Sequence, residues 1–139
     1  MAMKKCLWSG AAAALLVSCA APQRPPFDVN AFGVYVAAEH SGSAITLEPG
    51  QVLVVRLVSD VNQIREWTLL DFVPGVLVGP TAPVFERPPP AANLDVTLGA
   101  AVWRFKPAAA GTVTLKFEYR HPRSLEPATQ TVNYAVTVR

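Results

Sequence analysis

Four residues near the C-terminal third, Glu118, His121, Ser124 and Glu126, are the only ones whose types and spacing invite a catalytic reading. A hydroxyl nucleophile needs a base within reach and a third group to orient that base. Ser124 and His121 supply the first two, but Glu118 and Glu126 read equally well as solvated carboxylates. His40 is the other histidine, and no His-x-x-His or Cys-x-x-Cys spacing occurs, so no metal site is expected. No Gly-rich phosphate loop is present either, so no cofactor is expected. The chain reads as a binding protein and not as an enzyme.

A second chemistry lies at the N-terminus. Lys4 and Lys5 precede an apolar run from Leu7 to Val17, and the run ends in Leu16-Val17-Ser18-Cys19. A basic start, a short apolar stretch and a small residue before the cut describe a secretory signal. The run is too short to span a bilayer, which takes about 20 apolar residues. Its last residues resemble the bacterial lipobox. That resemblance implies cleavage after Ser18, diacylglycerol on Cys19 and a mature chain held to a membrane by several acyl chains. Ala20, not an aspartate, follows the cysteine. In Gram-negative lipoprotein sorting such a residue favours the outer membrane, so the expected location is the envelope, facing the periplasm.

Removing residues 1–18 also removes Lys4 and Lys5, which leaves ten basic residues against ten acidic ones. A near-neutral chain with no basic patch is not expected to bind nucleic acid. Cys6 leaves with the signal and Cys19 is taken by lipid, so no disulfide supports the mature domain. One core must suffice, and the length allows one domain, read here as a monomer.

The elements that would position any site are strands. Residues 19–30 contain Pro22, Pro25 and Pro26 and read as an extended tether. From residue 31 to 139, turn signals separate short alternating runs, the pattern of an all-β sandwich with about seven to eight strands. Thr112 to Tyr119 places Val113, Leu115, Phe117 and Tyr119 on one face. Thr131 to Arg139 does the same with Val132, Tyr134, Val136 and Val138. Gln51 to Val58 is apolar on both faces apart from Arg56 and reads as a central strand. Arg56 must then reach an edge or a carboxylate, because a lone buried charge is costly. Further strands are expected at 32–37, 44–47, 67–72, 93–98 and 102–106. Trp67 and Trp103 fall in alternating runs and are expected in the core. Residues 73–92 hold six prolines, and a residue without an N–H restricts the stretch to an edge strand or a connection between sheets.

The order of elements from Ala44 onward resembles the chagasin-type inhibitors of papain-like cysteine peptidases. Three stretches carry the likeness. Ile45-Thr-Leu-Glu-Pro-Gly-Gln-Val-Leu matches the opening strand, glycine turn and second strand. Ser59 to Trp67 has the length of the first binding loop and the tryptophan that follows it. Ala109-Ala-Gly-Thr-Val-Thr-Leu matches the turn into an alternating strand, which is followed by a proline loop and a last strand. The resemblance implies an immunoglobulin-like β-sandwich that wedges three loops reversibly into a peptidase cleft.

The loop motifs themselves have changed. Asp60-Val61-Asn62-Gln63-Ile64 stands where the family has Asn-Pro-Thr-Thr-Gly, and a β-branched Ile64 resists the positive φ that glycine allows. Of Gly-x-Gly-Gly, only Gly99 remains, in Leu98-Gly99-Ala100-Ala101. His121-Pro122-Arg123 stands in register with Arg-Pro-Trp. The resemblance therefore implies a binding surface made of 60–66, 99–101 and 121–124, with a papain-like cysteine peptidase as partner. The residues alone also admit a non-inhibitory immunoglobulin-like lipoprotein module for protein–protein contact, with Arg120, His121 and Arg123 as a small basic cluster. A purely structural envelope lipoprotein is the third reading.

Overall fold

The computed structural model describes residues 26–87 and 98–139. The expected signal, the lipidation of Cys19, the tether as far as residue 25 and the expected strand at 93–97 lie outside the described residues.

Ten strands form two sheets. In chain order they are β1 (Asp28–Val29), β2 (Gly33–Val36), β3 (Ala44–Leu47), β4 (Val52–Asp60), β5 (Glu66–Leu70), β6 (Leu77–Val78), β7 (Val84–Glu86), β8 (Leu98–Pro107), β9 (Gly111–Arg120) and β10 (Gln130–Val138). The smaller sheet runs β3-β10-β9-β5, and the larger runs β1-β2-β4-β8-β6, with β7 also on β8. Most pairs are antiparallel, but β3 lies parallel to β10 and β2 parallel to β4. The only helical turn described is a short 3-10 turn at Ala38–His40. The all-β sandwich expected from the alternating runs is the fold observed, with ten strands among the described residues where about seven to eight were expected.

The core forms where the period-2 faces of the two sheets meet. Leu53, Val55, Leu57, Trp103 and Phe105 come from the larger sheet. Leu115, Phe117, Tyr119, Val132, Tyr134 and Val136 come from the smaller, and all are buried. The Trp103 ring meets Phe117 edge-on at 4.7 Å, and Phe117 meets Tyr134 at 6.2 Å. The Tyr134 hydroxyl donates to the Ala37 carbonyl at 2.7 Å, so its polar end is satisfied inside the core.

Several expectations hold, and one, the extent of the tether, needs correction. The strand expected to be central lies between β2 and β8, and its outer face is open: Val58 is 55% exposed. Arg56 lies on that open face, 3.8 Å from Glu86, which also holds Arg104 at 3.1 Å. The end of the expected tether belongs to the sandwich, because β1 pairs with β2 and His40 Nε2 lies 3.2 Å from the Pro26 carbonyl. The proline-rich connection contributes β6 and β7, which lie along the same edge of β8 with a two-residue slip between them. Pro80 and Pro83 fall in that slip, where no ladder N–H is needed. The Trp103 indole N–H donates there to the Thr81 carbonyl at 3.1 Å.

Candidate functional site

The β4–β5 connection passes from the larger sheet to the smaller, so residues 61–65 form an arch over one end of the sandwich. Two hydrogen bonds close the sheets beneath it. The Trp67 indole N–H donates to the Val58 carbonyl at 2.9 Å, and the Asp60 backbone N–H donates to the Tyr119 hydroxyl at 3.3 Å. Trp67 and Tyr119 are also register partners on β5 and β9, with ring centroids 5.0 Å apart. Trp67 is thus a buried platform for the loop, as expected, and not a ligand-stacking surface.

Asp60 shapes the arch with its side chain. Its Oδ1 accepts from the Asn62 N–H at 2.9 Å, and its carbonyl accepts from the Gln63 N–H at 3.0 Å. An aspartate that bonds to backbone two residues on is the usual device of an Asx turn. Ile64 keeps ordinary backbone geometry, since Asp71 is the only non-glycine with positive φ among the described residues (φ 50°). Its side chain is 70% exposed, and Val61 is also exposed. An open cleft of about 320 Å³ lies beside the arch, lined by Ser59, Asp60, Gln63, Arg65, Phe85 and Ala101 among others.

Residues 121–129 join β9 to β10 and stand next to the arch, because Arg120 is the register partner of Glu66. This loop is tied at several points. Arg120 donates to the Glu118 carboxylate and to the Glu126 carbonyl, both at 3.0 Å. The Arg123 N–H donates to His121 Nδ1 at 3.1 Å, and the Glu126 N–H donates to Ser124 Oγ at 3.1 Å. Thr129 closes the loop with its N–H and hydroxyl both donating to the Tyr119 carbonyl. The His121 and Ser124 side chains therefore each accept from a different backbone N–H, and Glu118 is held by Arg120, not by the imidazole. The four residues that invited a catalytic reading are not arranged as a triad.

The expected second loop is strand. Gly99, Ala100 and Ala101 lie inside β8, buried, and opposite Ser59, Val58 and Leu57 of β4. Gly99 has a packing reason for lacking a side chain: a Cβ there would overlap the tip of the Phe85 ring. The connection from β7 to β8 begins at Arg87, and residues 88–97 lie outside the described residues. Of the expected site residues, the fold thus brings together Asp60, Val61, Asn62, Gln63 and Ile64 with His121, Pro122 and Arg123. Gly99 and Ala100 support the floor instead. Leu125 was not expected. It is 101% exposed in a polar turn, and a lone aliphatic residue between Ser124 and Glu126 is the signal that would have flagged it.

A family model described as "Chagasin family peptidase inhibitor I42" matches residues 46–138. The chain belongs to the chagasin family. The match covers both adjacent loops and every strand from β4 onward. Solved structures agree on the fold. The cysteine protease inhibitor EhICP2 from Entamoeba histolytica superposes with a TM-score of 0.67 at 13% identity, over 76% of this chain and 94% of that one. The solution structure of amebosin gives 0.61 at 15%, over 79% and 100%. PbICP-C, described in complex with falcipain-2, gives 0.50 at 15%, over 78% and 99%. No curated protein sequence matches the chain. At these identities the structural neighbours speak to the sandwich alone, and the membership rests on the family match.

Proposed function

We propose that this chagasin-family chain is a reversible inhibitor of papain-like cysteine peptidases, held at the cell envelope by lipid on Cys19. The observation that carries the reading is the family match over residues 46–138, which contains both loops at the closed end of the sandwich. A neighbour of the same fold is described in complex with falcipain-2, which favours a cysteine peptidase as the partner class.

The geometry suits a wedge. Loops 61–65 and 121–129 arise from neighbouring strands and are held by their own hydrogen bonds. A loop already fixed loses little freedom on binding, so more of its contact energy appears as affinity. The same fixation keeps a loop from taking the extended path that a cleaved substrate must adopt. The protein occupies the cleft around the catalytic cysteine and presents no peptide bond in a reactive position. Two loops carry the contact in this reading, with the floor beneath them supplied by Trp67, Tyr119, Gly99 and Ala100.

The experiment is a titration of papain and a cathepsin with the purified full chain in detergent, following a small fluorogenic substrate. Competitive inhibition at nanomolar to low-micromolar concentration supports the reading, and none at high micromolar from folded protein refutes it. The anchor is tested separately: Cys19→Ser should move the protein from the membrane fraction to the soluble fraction of a bacterial host. A wild-type chain found wholly soluble would refute the anchor alone.

A further inference from the structure

The wedge carries an apolar tip that the family motifs do not contain. Leu125 is the most exposed large apolar side chain among the described residues, and Ile64 on the adjacent loop is 70% exposed. A single exposed leucine is ordinary on a protein surface. What distinguishes this one is the restraint of the backbone on both sides of it. Ser124 N–H donates to the His121 carbonyl, and Ser124 Oγ accepts from Glu126 N–H. The Glu126 carbonyl in turn accepts from the Arg120 guanidinium, which the Glu118 carboxylate holds from the other side. The residues on either side of Leu125 are therefore restrained, Ser124 within the turn and Glu126 through Arg120 at the end of β9, and the leucine side chain is exposed from a restrained loop.

We infer that Leu125 is the principal anchor of this inhibitor, entering an apolar subsite of the peptidase cleft, with Ile64 as a lesser apolar contact beside it. The inference rests on the proposed inhibitory function. It adds the chemistry of the subsite that the partner must offer. Anchors of this kind fill a desolvated pocket and dominate an interface, while the surrounding contacts contribute little. Arg65 follows Ile64, Arg123 lies two residues before Leu125, and neither makes an ion pair among the described residues. The partner surface that fits is an apolar pocket whose rim carries carboxylates.

The test uses the full chain in detergent and the inhibition constant for a peptidase that the wild type inhibits. Leu125→Ala should raise that constant by about tenfold or more, since a fully buried leucine side chain is worth that much in affinity. Leu125→Met should stay within about threefold, and Leu125→Asp should lose about a hundredfold, because a carboxylate enters an apolar pocket at high cost. Thermal midpoints should not move in any of the three, because the side chain touches nothing in the free protein. An unchanged constant for Leu125→Ala, or equal losses for alanine and aspartate, overturns the subsite while leaving the inhibitory function standing. Absence of inhibition by the wild type overturns both.

Discussion

The Tyr119 hydroxyl accepts a hydrogen bond from the Asp60 backbone N–H at 3.3 Å, which joins the end of β9 in one sheet to the end of β4 in the other. The phenol thus sits under the first loop at the point where the chain crosses between sheets. Tyr119→Phe keeps the ring on Trp67 and leaves the Asp60 N–H without that partner. The expected cost is about 1 to 2 kcal/mol by chemical denaturation. Inhibition should weaken as well, because the arch loses its tie to the smaller sheet. A variant as stable as wild type would show that the hydroxyl does not hold the crossing.

Gly99 tests whether the second family motif survives as a loop or as strand. Gly99→Ala places a methyl against the Phe85 ring and 3.0 Å from the Glu86 carbonyl. Phe85 is partly exposed and can swing outward, so the cost should be about 1 to 2 kcal/mol. Gly79→Ala should cost more, since its Cβ meets the Arg104 carbonyl at 2.8 Å, and backbone cannot give way as a ring tip can. Thermal melts of the two variants should rank in that order. A neutral Gly99→Ala would return residue 99 to an open loop.

The alternating faces of residues 112–119 and 131–139 were legible in the sequence because one side of each strand is buried and the other is wet. That asymmetry writes a period of two. Gln51 to Val58 was legible as a central strand, but its open face was not, because Val54 and Val58 are apolar and lie on that face, where nothing selects strongly against valine. The first loop could be placed by its length and by Trp67, since the crossing between sheets needs both the arch and a large residue to seal it. The second could not. Gly99 looked like a loop glycine because the sequence does not record the Phe85 ring that crowds a side chain at this position of β8. Leu125 escaped notice because its value lies in the ties of its neighbours, Ser124 and Glu126, to residues earlier in the chain.

Burial pushes the Tyr134 phenol above its ordinary value of 10.0, with the Glu39 charge adding to the effect. A raised value means that the folded state keeps a proton which the unfolded chain gives up. The contribution is fully present below about pH 10 and is lost as pH rises beyond it. Wild-type stability should therefore fall with increasing pH above 10 more steeply than that of Tyr134→Phe, which has no proton to lose. Tyr134→Phe should also cost about 1 kcal/mol at neutral pH, for the lost bond to the Ala37 carbonyl. Denaturation midpoints for both proteins from pH 7 to 11 would show the two curves converging. Parallel curves would mean that Tyr134 ionises as freely in the fold as outside it.

Arg120 separates fixation of the third loop from the contact made by its tip. Its guanidinium bridges the Glu118 carboxylate and the Glu126 carbonyl, and both bonds are at least partly open to solvent. Removing them should hardly affect global stability, because ion pairs of this exposure contribute about 0 to 1 kcal/mol. The loop, however, loses the bond that holds the Glu126 carbonyl, one peptide beyond Leu125. Arg120→Ala should speed amide exchange in residues 121–128 and raise the inhibition constant about three- to tenfold, with the thermal midpoint nearly unchanged. The double variant Arg120→Ala/Leu125→Ala should be weaker than Leu125→Ala by less than that factor, since a loosened loop matters most when it carries an anchor. Full additivity of the two changes would mean that Arg120 contacts the peptidase itself and does not act through the loop.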